Sequence, residues 1–327
     1  MCERVEEWGQ RHSLRGTAPR GAAPERVRTA VTRRASWAMG DDASASVRAL
    51  FPRHYLDKFL AEGIRPDARA FAEARRTACV PGVIAAADGS ASVQVGNTSV
   101  VAGVQLSPFS PPAGGSAAGR LVVAVDVGQA GSSLSNARPD DHARALSDFV
   151  TRTLRQTKVV DEDELVIKRG AAAWTVTLTI TCLNFDGNML DAMLLVAVAA
   201  LLDTRIPAAE LSDAGAVVER DEPAKALAVQ TLPVCLTMAL FENVERSTTD
   251  MVVDPTAEEE RLSQATITVV VAPPARGALE AGASEAPLMV YKAGGLAVSR
   301  ACMQEAIKLA RERAVGTLAL LQAGASE

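Results

Sequence analysis

The sequence predicts an α+β fold made of two pseudo-repeated, β-rich modules with packed helices. Two observations carry this. Short strand-like segments come in two groups, and each group is followed by a helix-like segment, so the halves have similar content although no repeated sequence is visible. Between the halves lies Met189 to Leu202, apolar nearly all round and interrupted by Asp191, as a centrally buried helix would be.

Residues 1–45 are rich in Arg, Ala, Gly, Pro and Ser with little apolar periodicity, which predicts a disordered N-terminal extension. The Arg-rich, acid-poor run from Arg11 to Arg34 also has the composition of an organelle transit peptide, and Met39 offers an alternative start. A folded domain over 46–323 is expected, its first module at about 65–205 and its second at about 225–323. Ser46 can cap a helix carrying Val47, Leu50, Phe51, Tyr55, Phe59 and Leu60 and ended by Gly63; Pro52 weakens its first turn and suits a later start.

After a turn over 64–69, strands are expected at 77–86, 91–95 and 99–106. Asp88-Gly89 and Gly96-Asn97 punctuate them as a meander. A Gly/Pro/Ser loop covers 107–120, and 121–127 is another strand. Residues 140–157 read as an amphipathic helix with Leu146, Phe149, Val150, Thr153 and Leu154 on one face. Residues 174–183 alternate apolar residues with Thr, as a half-buried strand does. Asp186-Gly187-Asn188 turns the chain into the buried helix. A polar connection spans 203–224. Strands follow at 228–241, 251–254, 266–271 and 288–292, with a Pro/Ala/Gly loop at 273–287, and a helix over about 298–321 closes the chain.

The bulk numbers exclude several classes. Apolar residues make up 48% of 327, enough for a substantial core, but aromatics are only 4%, so stacking platforms for bases are scarce. Residues 1–40 hold eight Arg and four Glu, net +4, whereas the remainder holds 26 basic and 35 acidic residues, net −9. A body this acidic is a poor stand-alone binder of a phosphate backbone. The five Cys, at 2, 79, 182, 235 and 302, form no CxxC pair and are expected to be reduced thiols of a cytosolic or nuclear protein. The three His are far apart, which argues against a His-based metal site or triad. No stretch is long and apolar enough for a membrane helix. Gly114-Gly115-Ser116 and Gly128-Gln129-Ala130-Gly131 lack the Lys-Ser/Thr or strand–helix context of a nucleotide loop.

Four segments together resemble the RNase PH family. Arg65-Pro66-Asp67-Ala68-Arg69 resembles its RPDGR motif, and 87–100 its first hairpin. Residues 183–192, with Asn184-Phe185-Asp186-Gly187-Asn188, resemble its junction of strand and buried helix. Asp254-Pro255-Thr256-Ala257-Glu258-Glu259-Glu260 resembles its second-half signature. The match in order and spacing covers roughly residues 55–320. The resemblance implies an RNase PH-like fold of the ribosomal protein S5 domain 2 type. The Asn-Phe-Asp-Gly-Asn and Asp-Pro-Thr-x-Glu-Glu-Glu versions look like exosome ring subunits of the archaeal second-subunit lineage. As implied partners come other RNase PH-like subunits in a hetero-hexameric ring, S1/KH-type cap subunits, single-stranded RNA in the channel and associated hydrolytic nucleases. The implied role is 3′-to-5′ RNA decay and ribosomal RNA processing in nucleus, nucleolus and cytoplasm, with no cofactor, metal or membrane.

Departures from the family pattern bear on chemistry. Active members pair two aspartates flanking the phosphorolysis site; here Asp254 occupies the first position, while the second falls near Thr266 and holds no carboxylate. Where active members carry an Arg-containing phosphate site, this chain reads Asn136-Ala137-Arg138-Pro139-Asp140-Asp141-His142, whose acids would repel phosphate. No catalytic residue is therefore expected, with Asp254 a vestigial candidate. Read by itself, Asp254 is a metal or general-acid carboxylate, or a strand-end acid bonded to the Pro255-Thr256 turn; the second is favoured. Glu258-Glu259-Glu260 is expected to be a solvated turn or helix cap. Arg65, Arg69 and Arg138 are either RNA phosphate contacts or surface charges and inter-subunit ion pairs. The alternative to a structural subunit is an active phosphorolytic 3′-to-5′ exoribonuclease.

Overall fold

The structure, a computed structural model, describes residues 48–111, 118–128, 139–212, 217–220, 222–243, 248–271 and 287–324. The predicted N-terminal extension, Arg138 and most of the predicted 273–287 loop lie outside these residues. Two compact units are found, one through Tyr55 and one from Leu56 onward; apart from the first turn of the helix Pro52–Ala61, the description below concerns the second.

Helix α1 (Pro52–Ala61) starts at the proline, whose missing N–H costs nothing at a first helical position. The meander is β1 (Thr77–Pro81), β2 (Gly89–Val95) and β3 (Thr98–Phe109). β4 (Arg120–Asp126) leads into α2 (Pro139–Gln156), then a 3-10 turn, β5 (Val166–Lys168) and the long β6 (Ala172–Asn184). In the first sheet the order is β1-β2-β3-β6-β4, with β5 also on β6; β4 runs parallel to β6 and the other pairs are antiparallel.

Helix α3 (Met189–Asp203) follows. The short strands β7 (Arg205–Ile206), β8 (Ala209–Leu211), β9 (Val217–Glu219) and β10 (Lys225–Ala226) then form two ribbons, β7 with β10 and β8 with β9. The second sheet has the order β12-β11-β13-β14, all antiparallel: β11 (Val234–Asn243), β12 (Thr248–Val253), β13 (Ala265–Val271) and β14 (Met289–Gly294). Helix α4 (Ala257–Leu262) links β12 to β13, and α5 (Arg300–Gly324) ends the chain.

The cores explain this arrangement. α3 is buried on every side because β1, β2, β3 and β6 of the first sheet and β11 of the second all contact it. Leu194, Leu195, Val198 and Leu201 are withdrawn from water, and each such side chain is worth roughly 1.5–3 kcal/mol of transfer free energy. Ala306, Ala310 and Ala314, one turn apart on α5, let that helix sit close on the second sheet against residues such as Leu236 and Val269. Leu56 and Leu60 of α1 join Phe241 and Val252 in a third cluster.

The α+β expectation holds, with local corrections. The first predicted strand stops at Pro81 rather than 86: Pro81 has no N–H to continue the ladder, and Gly82 turns back at φ 68 to bond Ser90 O. β11 starts at Val234, after Pro233, and the predicted 228–233 portion contributes an isolated bridge at Val229. β5, the two ribbons and α4 carry too few residues to show a period in sequence.

Candidate functional site

The site lies where the end of β12, the start of α3 and the segment before β1 meet. Asp254 follows the last residue of β12 in a left-handed conformation, φ 49, unusual for a side chain with a Cβ. Its N–H bonds Thr237 O, prolonging the β11–β12 pairing by one step. Thr256 then caps α4 and forms a capping box with Glu259. The turn is held open by Gly187, φ 80, on the facing loop: a Cβ there would lie 2.5 Å from Ala257 N.

The Asp254 carboxylate is 1% exposed and surrounded by donors. Arg75 approaches with its backbone N at 2.7 Å, Nε at 3.0 Å and Nη2 at 2.8 Å. Asn188 Nδ2 donates to Oδ1 at 2.5 Å, and Arg69 Nη1 reaches Oδ2 at 3.4 Å. The favoured expectation, a bond to the Pro255-Thr256 turn, is corrected: Pro255 has no N–H, and Thr256 N donates to Glu259 instead. Burial pushes the Asp254 carboxyl up, but the bonds and charge of Arg75, with Asn188, outweigh it and hold the pKa below the ordinary value. Arg75 is raised for the reciprocal reason, Asp254 outweighing desolvation, and its Nη1 also holds Asp186 O at 2.6 Å.

Two further carboxylates, noted in the sequence only as an interruption of the apolar helix and as part of a solvated turn or helix cap, converge on Asn188. Asp191, in the first turn of α3, accepts from Asn188 Nδ2 at 2.9 Å and from the hydroxyl and N–H of Thr237 at 2.8 and 3.1 Å. Burial raises it to about 6 despite these bonds, and the nearby Asp254 charge adds to the rise. Glu260 accepts Asn188 N at 2.9 Å; burial raises it to about 7, with Asp191 adding like charge. Asn188 itself sits at φ 56 before α3. The signal that could have found this cluster is Asn188 and Asp191 flanking an otherwise apolar helix start.

The structure corrects the RNA reading of Arg65. Arg65 is 1% exposed and forks onto Glu259, with Nε to Oε1 at 2.9 Å and Nη2 to Oε2 at 2.5 Å. Its remaining donors hold the carbonyls of Val253 at 2.8 Å and Asp254 at 3.1 Å. A phosphate cannot reach it. Glu259 is correspondingly buried, so the solvated-turn expectation fails there while the helix-cap expectation stands. Arg69 is also drawn inward, bonding Asp67 at 2.6 Å and Asp254 O at 3.2 Å. Ala68, where the motif has Gly, keeps φ 67, so the turn survives with an alanine in the left-handed region.

The second sheet shows the surroundings of Thr266, near which the resemblance leads one to expect a second carboxylate. Thr266 lies on β13 between Ala239 and Ala293. Opposite Thr237, the residue Asp254 pairs with, stands Thr268, whose hydroxyl meets that of Thr237 at 2.9 Å. Neither threonine can act as an acid. Among the described residues no group of three or more His, Cys, Asp or Glu could hold a metal. Beside Asp254 and Asn188 lies a cavity of about 20 Å³.

Comparison with known proteins also divides the chain in two. Residues 73–207 match domain 1 of the 3′ exoribonuclease (RNase PH) family and residues 231–313 match its domain 2. The chain belongs to this family. Relatives found there include exosome components. It is 35% identical to the exosome complex component Rrp42 of Archaeoglobus fulgidus over 66% of this chain and 79% of that protein. It is 34% identical to Rrp42 of Methanopyrus kandleri over 68% and 81%. Among solved structures, a chain of the Archaeoglobus fulgidus exosome with RNA bound to the active site superposes with a TM-score of 0.67 at 29% identity, covering 81% of this chain and 95% of that one. A chain of an archaeal exosome core gives 0.68 at 27%, covering 86% and 99%. This RNase PH-family member is thus homologous to archaeal Rrp42 exosome components.

Proposed function

We propose that this RNase PH-family chain is a non-catalytic subunit of an RNA exosome core ring. The observation that carries this is the state of Asp254. The one carboxylate at a family catalytic position is buried, saturated by Arg75, Asn188 and Arg69, and lacks an acidic partner on β13. A cavity of about 20 Å³ beside it has room for a water, far below the several hundred Å³ that small-molecule sites use.

In this role the chain completes a hetero-hexameric ring with other RNase PH-like subunits. It carries S1/KH-type cap subunits, and single-stranded RNA passes through the channel to associated hydrolytic nucleases in 3′-to-5′ decay and ribosomal RNA processing. Two sheet edges support an assembled state. Among the described residues, β1 ends its sheet beside exposed Val80, Val83 and Ile84, and β14 ends the other with exposed Val290 and Tyr291. Open edges with apolar side chains favour pairing with neighbours. The Asn184-Phe185-Asp186-Gly187-Asn188 and Asp254-Pro255-Thr256-Ala257-Glu258-Glu259-Glu260 versions of the motifs support the archaeal second-subunit lineage. Within it the proposed place is near the eukaryotic subunit ribosomal RNA-processing protein 43, working in nucleus, nucleolus and cytoplasm.

The test is native mass spectrometry of a tagged copy purified gently from its own cells, followed by phosphorolysis by the purified particle. A heteromeric particle is expected in which Asp254→Asn lowers stability but leaves the activity of each intact ring unchanged. A homo-hexamer that releases nucleoside diphosphates from RNA in phosphate and Mg²⁺, and loses that activity with Asp254→Asn while the ring stays folded and assembled, would establish the phosphorolytic enzyme instead.

A further inference from the structure

Asn188 leaves one buried atom without a partner. Its Nδ2 lies between two carboxylate oxygens, Asp254 Oδ1 at 2.5 Å and Asp191 Oδ2 at 2.9 Å. Asp254 is surrounded by Arg75 and is an acceptor only, so the amide cannot be turned over without setting oxygen against oxygen. The carbonyl oxygen, Oδ1, therefore has to point away from both acids. It is buried, and no group among the described residues donates to it. Buried carbonyl oxygens in folded proteins nearly always find a donor, from protein or from ordered water.

Asn188 lines a cavity of about 20 Å³, bounded also by Asp191, Asp254, Thr77, Arg313 and Thr317 among others. A single water needs roughly 10–15 Å³ and two or more polar partners. Other lining residues carry polar groups. Arg313, on α5, donates Nη2 to Thr77 Oγ1 at 2.6 Å, and Thr317 Oγ1 donates to Arg313 O at 3.1 Å. A guanidinium can donate to a ligand that donates in turn to Asn188. A metal cation fits poorly: the guanidinium in the wall repels it, and oxygen-loving cations ask for six or more ligands. An apolar occupant would leave Oδ1 unpaired.

We propose that this cavity is a water site, holding one ordered molecule that donates to Asn188 Oδ1 and links the start of α3 to the Arg313–Thr77 pair of α5 and β1. The water extends the Asp254 network across the second module's last helix and keeps Asn188 in its left-handed conformation.

The experiment is a crystal structure at atomic resolution of the chain within its assembly. One fully occupied water at about 2.7–3.2 Å from Asn188 Oδ1 is expected. An empty cavity, or density with the many short ligands of a cation, would overturn the proposal. A thermal-melting comparison of Val95→Ile, which adds a methylene to the cavity wall, decides the same point in solution. Filling a dry cavity raises Tm. Displacing a bonded water lowers it, and the water disappears from the variant's density. A rise or no change in Tm would sink the idea.

Discussion

Replacing Asp254 by Ala separates a structural from a solvent-facing carboxylate. Asp254 is 1% exposed, and its principal partner, Arg75, has a side chain only 9% exposed. The substitution removes the acceptor from Arg75 N, Nε and Nη2 and from Asn188 Nδ2 at once. Arg75 keeps the carbonyls of Asp186 and Gly187, so its charge is stranded without being wholly unbonded. Breaking one side of a buried pair costs about 3–5 kcal/mol, because the orphaned charge stays out of water. For a domain of this size that is a fall in Tm of roughly 6–20 °C. The assay is urea unfolding of wild type and variant side by side, with the slope checked so that the midpoint shift reports stability. A loss under about 1 kcal/mol, the range of exposed pairs, would refute the argument that this junction is dry.

Three other expectations follow from the same geometry. Arg65→Lys should cost about 2–4 kcal/mol, because an ammonium cannot reproduce the fork onto Glu259 or reach both carbonyls; a change within 0.5 kcal/mol by urea unfolding would contradict it. Ala68→Gly should stabilise by about 1 kcal/mol, since an exposed alanine at φ 67 has only backbone strain to lose; a lower Tm would show that the left-handed turn is not native. Stability should also fall as pH rises from about 4.5 to 7. Asp191 and Glu260, raised to about 6 and about 7, hold protons in the folded chain that the unfolded chain has released. Asp254 has the opposite sign: its contribution is present above the ordinary Asp range and is lost as acid drives the pH through its lowered value. Unfolding measured across pH 4–8 should therefore peak on the acid side of neutrality, and Glu260→Gln should flatten the upper limb. A steady rise in stability from pH 5 to 7.5 would contradict this.

The fold was legible where the sequence repeats a period long enough to be read. β3, β6, α2 and α3 are such elements, and α3 showed its burial as an apolar surface with no polar face. The ribbons and α4 were not, since two to six residues cannot display a period. The site was half legible. Asp254 stood out at a strand end, but its partners lie far along the chain, Arg75 179 residues away and Asn188 66 away, and no local pattern announces such a pairing. Arg65 misled for the same reason. An arginine in a polar turn reads as surface charge until the acid that buries it, 194 residues on, is brought alongside.

The position of these groups explains why one carboxylate cannot readily serve both structure and chemistry. A catalytic acid needs a free lone pair or a movable proton facing the reacting atoms. Asp254 offers neither: Arg75 covers both of its oxygens, and its pKa is held low. Freeing it would strand Arg75 and untether Asn188, whose N–H and amide hold Glu260 and Asp191. In the proposed role, the bonds that occupy Asp254 also tie the loop before β1, the start of α3 and the β12–α4 turn into one network. A subunit proposed to hold a ring together gains from that rigidity, whereas one that cuts RNA would have to give part of it up.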